Sequence, residues 1–123
     1  MKKSVAIIGA SQDRSKYGNK AVRAYLNQGW KVFPVNPTEK MIEGLKVYGS
    51  ILEIKKNIDR VSIYLPPFIG MGIIEDVAKK EPKEVFFNPG SESDELIIKA
   101  KKLGIDPLLA CSIVDIDVQP DTL

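Results

Sequence analysis

The chain has 123 residues, the length of a single domain, with 44% hydrophobic residues, 28% charged residues and a net charge of +2. This charge is too small to indicate binding to nucleic acid or to a membrane surface, and no apolar stretch is long enough to span a bilayer. The sequence has no histidine, which removes the commonest general base and metal ligand, and its single cysteine excludes an internal disulfide. The composition therefore predicts a cytoplasmic protein with one domain over residues 1–123 and no metal site.

Five short apolar runs, each rich in branched or aromatic residues, predict five β-strands. They are continuous rather than alternating in hydrophobicity, which is typical of strands buried on both faces. The first run follows a short basic start that superficially resembles a signal peptide, but the run is too short for the apolar part of one. The predicted strands are Val5–Ile8, Lys31–Val35, Val61–Leu65, Val85–Phe87 and Pro107–Cys111.

Helical patterns separate these runs. Apolar residues share one helical face within Gly18–Gln28, and Gly29 is placed to end that helix. Ser50 and Glu53 have the spacing of a capping box ahead of a short helix. Two further apolar stripes predict helices that end near Pro82 and Gly104; their residues are Ile73, Ile74, Val77 and Ala78, then Leu96, Ile97, Ala100 and Leu103.

Strands that alternate with helices predict parallel βαβ units with right-handed crossovers. The expected fold class is α/β: a Rossmann-like, doubly wound parallel five-stranded sheet of order 3-2-1-4-5 with helices on both faces. The closing segment, residues 112–123, carries several aspartates and a proline, so we expect mostly irregular structure there.

The ends of the first four predicted strands carry glycine, proline and small polar residues. In this fold class the strand ends meet at one crevice, here expected at the switch point between the first and fourth strands, where ligands bind. A polar, basic loop with Arg14, Lys16 and Tyr17 follows the first strand and leads into a helix, whose N-terminus favours an anion. The four ends read Gly9-Ala10-Ser11, Asn36-Pro37, Leu65-Pro66-Pro67 and Asn88-Pro89-Gly90.

The glycine pattern argues against a nicotinamide cofactor. Dinucleotide-binding folds carry G-x-G-x-x-G after the first strand, but Ser11 and Arg14 stand where the second and third glycines would be. The second strand ends in Asn36, where a dehydrogenase would place an acidic residue for the ribose hydroxyls. An NAD(H)-binding sensor is therefore the least favoured of the alternatives.

Four short motifs in order resemble a known family: GAS from Gly9, KYG from Lys16, VNP from Val35 and LPP from Leu65. They look like the small single-domain coenzyme A-binding proteins, which are similar to the Rossmann-like domain of the succinyl-CoA synthetase α subunit. The resemblance implies a Rossmann-like fold that binds coenzyme A or an acyl-CoA at the strand ends. It also implies a diphosphate near Ala10, Ser11 and Gly18, and nucleotide contacts near Asn36, Pro37 and Leu65–Pro67.

One departure from the family concerns a basic residue. Many relatives carry a lysine directly after VNP; Thr38 stands there in this chain, and Lys40 lies two positions further on. The candidate cofactor-binding residues are Gly9, Ala10, Ser11, Arg14, Lys16, Tyr17, Gly18, Asn36, Pro37, Lys40, Leu65, Pro66, Pro67, Asn88, Pro89 and Gly90.

No catalytic residue is predicted, because no histidine exists to activate Cys111 or a serine. The first hypothesis is a non-catalytic module for a small nucleotide ligand, coenzyme A or an acyl-CoA. The alternative is a nucleotide-binding subunit of an acyl-CoA enzyme whose chemistry lies on a protein partner, which the sequence does not identify. On either hypothesis Gly9→Val is expected to abolish ligand binding while the domain stays folded or is modestly destabilised.

Overall fold

The computed structural model describes residues 2–123, and its elements alternate as the sequence predicts. The strands are β1 (Ser4–Ile8), β2 (Lys31–Val35), β3 (Met41–Ile42), β4 (Leu45–Lys46), β5 (Arg60–Ile63), β6 (Glu84–Phe87) and β7 (Pro107–Leu109). The helices are α1 (Tyr17–Asn27), α2 (Pro67–Lys80), α3 (Asp94–Lys102) and α4 (Ser112–Asp115), with 3-10 turns at Ile51–Glu53 and Pro120–Thr122.

Most predicted elements are confirmed, with four differences. The third and fifth strands end earlier than predicted, at Ile63 and Leu109. The helix predicted from Ser50 is a single 3-10 turn, in which Leu52 N–H donates to Ser50 Oγ at 3.2 Å. The closing segment, predicted mostly irregular, contains α4 and a 3-10 turn, and the hairpin β3–β4 was not predicted.

Five of the strands form one parallel sheet in the order β2-β1-β5-β6-β7. The predicted fold class, a Rossmann-like doubly wound parallel sheet of five strands, is confirmed. The predicted order needs one correction: numbered along the chain, the five strands run 2-1-3-4-5. The third strand pairs with the first, Ile63 opposite Ile8, rather than with the second.

The outer edge of β2 is already occupied, which explains where the third strand lies. Tyr48 runs parallel to this edge, donates its N–H to Pro34 C=O at 2.9 Å and accepts from Asn36 N–H at 3.0 Å. Pro34 has no N–H to offer a further strand, so β2 is suited to the edge of a sheet. After the β3–β4 hairpin the chain reaches Tyr48 at the edge of β2. The next strand, β5, pairs with the side of β1 that β2 leaves open.

Two apolar layers cover the sheet. On one face, α2, α3 and the 3-10 turn bury residues such as Ile54, Ile74 and Leu96. On the other face, α1, α4 and the hairpin bury residues such as Val22 and Ile113. All five positions of β1 are buried, as expected of a central strand covered on both sides. No helix within residues 2–123 combines the length and the apolar content needed to cross a bilayer.

Arg60 is a buried charge that joins three elements near the start of β5. Only 5% of its surface is exposed, and its guanidinium donates to Glu84 Oε1 at 2.9 and 3.0 Å and to Asp115 Oδ2 at 2.8 Å. The guanidinium also lies 4.5 Å from the centroid of the Phe86 ring and 5.0 Å from that of Trp30. The planar guanidinium therefore holds α4 against β5 and β6 through paired and stacked contacts.

Replacing Arg60 with methionine is expected to lower the free energy of unfolding by about 2 kcal/mol, because two carboxylates lose their buried partner. Urea unfolding followed by the fluorescence of Trp30 measures this loss. The control is Lys83→Met, since Lys83 is 82% exposed and pairs with Asp59 at 3.4 Å. Its removal is expected to cost less than about 0.5 kcal/mol. Equal losses for the two variants would contradict the structural role of Arg60.

Candidate functional site at the carboxyl edge of the sheet

The switch point of the sheet lies between β1 and β5, not between the first and fourth strands. The chain passes from β1 to α1 on one face and from β5 to α2 on the opposite face. Because the two connections diverge, they leave a crevice above the carboxyl ends of these neighbouring strands. The correction of the strand order therefore moves the expected site by one strand and keeps it at the same edge.

Gly9 and Gly18 allow the backbone to pack closely beside this crevice. Gly9 has a φ of +91°, and a Cβ placed on it would lie 2.4 Å from the backbone oxygen of Tyr64. A Cβ on Gly18 would lie 2.1 Å from the backbone oxygen of Gly9. Both glycines are therefore needed for the turn after β1 and for the close packing of α1 against it, independently of any contact with a ligand. The expectation that Gly9→Val is only modestly destabilising does not fit this geometry.

The loop between β1 and α1 is held in place by its own hydrogen bonds. Asn19, fully buried on α1, donates its Nδ2 to Ser11 C=O at 2.9 Å. The Asp13 carboxylate accepts from the hydroxyl and the N–H of Ser15, at 2.6 and 3.0 Å, and these bonds lower the pKa of Asp13. No side chain within residues 2–123 caps α1; Asn19 N–H bonds to Lys16 C=O at 3.1 Å, which leaves the N–H groups of Tyr17 and Gly18 without an acceptor in the helix.

A cleft of about 280 Å³ opens on the α2 side of the edge, and we call it the α2-side cleft. Its walls are mainly aliphatic, and Asp76 of α2 places a half-buried carboxylate among them. Four of the predicted residues line it: Gly9, Asn36, Pro37 and Leu65. The other lining residues are Ile8, Val35, Gly49, Ser50, Ile51, Ile69, Ile73 and Asp76.

The Asn36 side chain is already engaged within the protein. Its Nδ2 donates to Ala10 C=O at 2.9 Å, and its Oδ1 accepts from the N–H groups of Thr38 and Glu39 at 2.9 and 3.1 Å. Asn36 therefore joins the ends of β1 and β2 and shapes the wall of the α2-side cleft. One of its two amide N–H groups and its amide oxygen are therefore committed to these internal hydrogen bonds.

A second cleft, of about 340 Å³, opens on the α1 side of the edge, and we call it the α1-side cleft. Tyr64 lines this cleft, while the next residue, Leu65, lines the α2-side cleft. One stretch of backbone thus separates the two spaces at the switch point. The lining residues are Tyr17, Tyr64, Asn88, Pro89, Cys111 and Pro120.

A cluster of uncharged polar groups lies at and beneath the α1-side cleft. Ser112 Oγ is 2.6 Å from Ser62 Oγ and 3.2 Å from the Tyr64 hydroxyl. Asn88 donates to Ser62 Oγ at 2.9 Å and accepts from Ser112 N–H at 2.8 Å. Burial raises the pKa of both Tyr64 and Tyr25, so these phenols stay protonated near neutral pH. The cluster thus holds β5, β6 and the start of α4 together without ionised groups.

The other predicted residues divide between the edge and its surroundings. Arg14 turns away, with its Nε 3.8 Å from Glu43 Oε2, and it lines a groove near the end of the chain. Pro67 lines a shallow groove between α2 and α3. The loop and first helical turn between the clefts contain Ala10, Ser11, Lys16 and Gly18. The remaining candidates are exposed and, like Arg14 and Lys16, line neither cleft: Lys40, Pro66 and Gly90.

Sequence reasoning missed the α2 wall of the site. Ile69, Ile73 and Asp76 occupy positions i, i+4 and i+7 of α2, so they lie on one helical face; of these, only Ile73 belongs to the predicted apolar stripe. The signal that identifies this wall is a carboxylate, Asp76, one turn beyond an apolar pair. Within residues 2–123, no group of three or more histidine, cysteine, aspartate or glutamate residues is placed to hold a metal ion.

Comparison with known proteins identifies the family of the chain. The family model described as CoA binding domain matches residues 3–117. The α subunit of ADP-forming acetate–CoA ligase II from Pyrococcus furiosus is 34% identical over 116 residues, which cover 84% of this chain and 25% of that protein. The ADP-forming acetate–CoA ligase of Methanocaldococcus jannaschii is 36% identical over 81 residues, 66% of this chain and 12% of that protein. The chain thus spans a quarter or less of these two relatives.

Solved structures share the fold. A conserved hypothetical protein from Pyrococcus furiosus superposes with a TM-score of 0.83 at 32% identity, over 94% of this chain and 99% of that one. The apo form of dinucleotide-forming acetyl-coenzyme A synthetase 1 from Ca. Korarchaeum cryptofilum superposes with a TM-score of 0.74 at 31% identity, over 86% of this chain and 25% of that one. With the family model matching nearly the whole chain, this protein belongs to the CoA binding domain family.

Proposed function

We propose that this chain binds coenzyme A or an acyl-CoA at the carboxyl edge of its sheet and performs no chemistry of its own. The observation that carries the proposal is the α2-side cleft of a member of the CoA binding domain family: Gly9 lines this cleft, and the first turn of α1 packs on Gly9 at Gly18. An apolar cleft next to free N–H groups suits a ligand with a flat base and a diphosphate.

The base of the ligand fits the α2-side cleft. Leu65, Ile69 and Ile73 offer apolar contact to the faces of a purine, and Ile51 adds contact from the 3-10 turn. The half-buried Asp76 carboxylate accepts hydrogen bonds only, so it is suited to the exocyclic amine of adenine. Asn36 and Pro37, which the resemblance places near the nucleotide, are proposed to contact it mainly as walls of the cleft, because the Asn36 amide is largely engaged within the protein.

The diphosphate is proposed to lie over the loop from Gly9 to Ser11 and the first turn of α1. The internal hydrogen bonds of this loop fix its backbone before any ligand arrives, which lowers the entropic cost of binding. The N–H groups at the start of α1 and the exposed Lys16 supply positive potential there. Lys40, exposed beside the hairpin, remains the candidate for a further phosphate.

The thiol or acyl arm is proposed to cross the edge toward the α1-side cleft. The consecutive residues Tyr64 and Leu65 line the α1-side and the α2-side cleft respectively, so an extended arm passes from one cleft to the other over a short distance. The α1-side cleft, of about 340 Å³, has Tyr17, Pro89 and Cys111 in its lining. Its uncharged floor suits an amide-rich arm better than a charged group.

The proposal that the chain is a binding module, with one domain over residues 1–123, rests on the chemistry of this edge. The hydroxyls of Ser62, Ser112 and Tyr64 contact one another rather than a base that is ionised near neutral pH. The single cysteine fits a reducing, cytoplasmic compartment. A relative named as a ligase α subunit supports the alternative, in which a partner supplies the chemistry for a shared CoA site.

We expect the isolated chain to release no coenzyme A from acetyl-CoA or succinyl-CoA, because no nucleophile at the edge has an adjacent base. The assay follows free thiol with a chromogenic disulfide reagent over hours at neutral pH. Turnover that survives repurification and is lost in Cys111→Ala or Ser11→Ala would refute the non-catalytic proposal. A release rate equal to that of buffer alone supports it.

We expect coenzyme A to bind more tightly than NAD, by about tenfold or more in the dissociation constant, or about 1.4 kcal/mol. The reason is that Asn36, whose amide is engaged internally, offers no carboxylate to the ribose hydroxyls of NAD. Calorimetric titration of the same protein sample with each ligand measures the difference. Tighter binding of NAD would overturn the choice of ligand.

A further inference from the structure

A groove of about 360 Å³ runs along the outer edge of β2 and is separate from both clefts. Four lysines line it, and its one carboxylate, Glu53, accepts from Gly49 N–H at 3.3 Å. Within residues 2–123, none of the four lysines forms a salt bridge. The groove therefore concentrates positive charge that the protein itself does not neutralise. The four lysines are Lys31, Lys46, Lys55 and Lys56.

The same groove contains a stretch of open strand edge. Lys31 N–H donates to Lys3 C=O, and Val35 C=O accepts from Gly9 N–H, so these residues direct their backbone groups toward β1. Residues alternate along a strand, so Val32 directs its N–H and C=O outward, into the groove that it lines. Beyond it, Pro34 C=O is already bonded to Tyr48. Val32, 7% exposed, therefore has a backbone donor and acceptor that make no hydrogen bond within residues 2–123.

We propose that this groove binds an acidic, extended peptide segment of a partner protein. An extended peptide can exchange two backbone hydrogen bonds with Val32, while its carboxylates meet the lysines on either side. A second copy of this chain is disfavoured because pairing β2 with β2 brings eight lysines together. A nucleic acid is disfavoured because both aromatic rings of the groove are engaged: Phe33 is 5% exposed, and the half-buried Tyr48 packs against Phe33 at 5.8 Å with Lys46 Nζ 5.0 Å from its ring centroid.

The test uses a fluorescein-labelled peptide of about ten residues that alternates glutamate and threonine, titrated with the full chain and followed by fluorescence anisotropy. A second peptide carries the same sequence with alternate backbone nitrogens methylated, which keeps the charge and removes the strand-pairing edge. A labelled poly-dT oligonucleotide of similar charge is the third ligand. The variant is Lys46→Glu with Lys55→Glu, and its charge-matched control is Lys101→Glu with Lys102→Glu at the exposed end of α3.

The proposal expects the glutamate peptide to bind, with affinity that falls as salt rises from about 50 mM to about 500 mM. It expects the groove variant and the methylated peptide each to weaken binding by about tenfold or more, and the control variant to change it by less than about twofold. Absence of binding, equal binding of the methylated peptide, or tighter binding of the oligonucleotide would each overturn the proposal. Thermal unfolding of both variants establishes that each is folded, and bound coenzyme A is expected to leave peptide affinity unchanged.

Discussion

Gly9→Val is expected to destabilise the domain by about 3 kcal/mol or more, because two unfavourable effects coincide at one position. The φ of Gly9 is +91°, where a β-branched residue is strained, and its Cβ would lie 2.4 Å from the Tyr64 backbone oxygen. The contacted atom is backbone at the end of β5, so it cannot move aside as a flexible side chain would. Urea unfolding monitored by circular dichroism measures the loss.

A second glycine provides the control for this experiment. Gly72 lies on α2, and a Cβ placed there would meet no atom within 4 Å. Gly72→Ala is therefore expected to stabilise the protein by about 0.5–1 kcal/mol through helix propensity. If Gly9→Val unfolds at the same urea concentration as the unmodified chain, the close packing of the β1 turn against β5 is wrong. The sequence-based expectation of a modest loss would then stand.

Filling the α2-side cleft is expected to abolish ligand binding without unfolding the protein. Ile73 is half-buried on α2 and lines the 280 Å³ cleft, so Ile73→Trp places an indole where the base is proposed to lie. Coenzyme A affinity is expected to fall by about a hundredfold or more, which corresponds to a loss of roughly 3 kcal/mol of binding free energy. Calorimetric titration of the variant measures the affinity.

The matched control is Ile98→Trp, which adds the same side chain at a position that is 55% exposed on α3. Its affinity for coenzyme A is expected to remain within about twofold of the unmodified chain, since Ile98 lines neither cleft. Unchanged affinity in a folded Ile73→Trp variant would exclude the α2-side cleft as the site of the base. Equal losses in the two variants would point to an indirect effect of tryptophan.

The fold class could be predicted from the sequence, but the order of the strands could not be predicted fully. Continuous apolar runs separated by helical stripes were sufficient for the fold class. The predicted order placed the second strand inside the sheet and is wrong at this point. Pro34 in that strand has no N–H, which suits an edge strand rather than an inner one. The hairpin β3–β4 left little signal, because each of its strands has only two residues.

The position of the candidate site was easier to predict than the arrangement of its side chains. Glycine and proline at strand ends predicted a site at this edge, since these residue types follow from local turn geometry. Asn36 and Asn88 were predicted as ligand contacts, yet both amides form hydrogen bonds within the protein. The Asn36 amide bonds to Ala10 and to its own loop, and the Asn88 amide bonds to Ser62 and Ser112, which are distant in sequence. An asparagine at a strand end has the same sequence signature in either role. Pairings such as Ser62 with Ser112 depend on tertiary structure alone.

Titration of ¹⁵N-labelled protein with coenzyme A, followed by amide chemical shifts, tests directly whether the ligand binds at the carboxyl edge. We expect the largest changes at Gly9, Gly49 and Leu65, and no change at the amides of Val32 and Lys46 on the outer groove. No change at millimolar coenzyme A, or changes confined to the outer groove, would contradict binding at this edge.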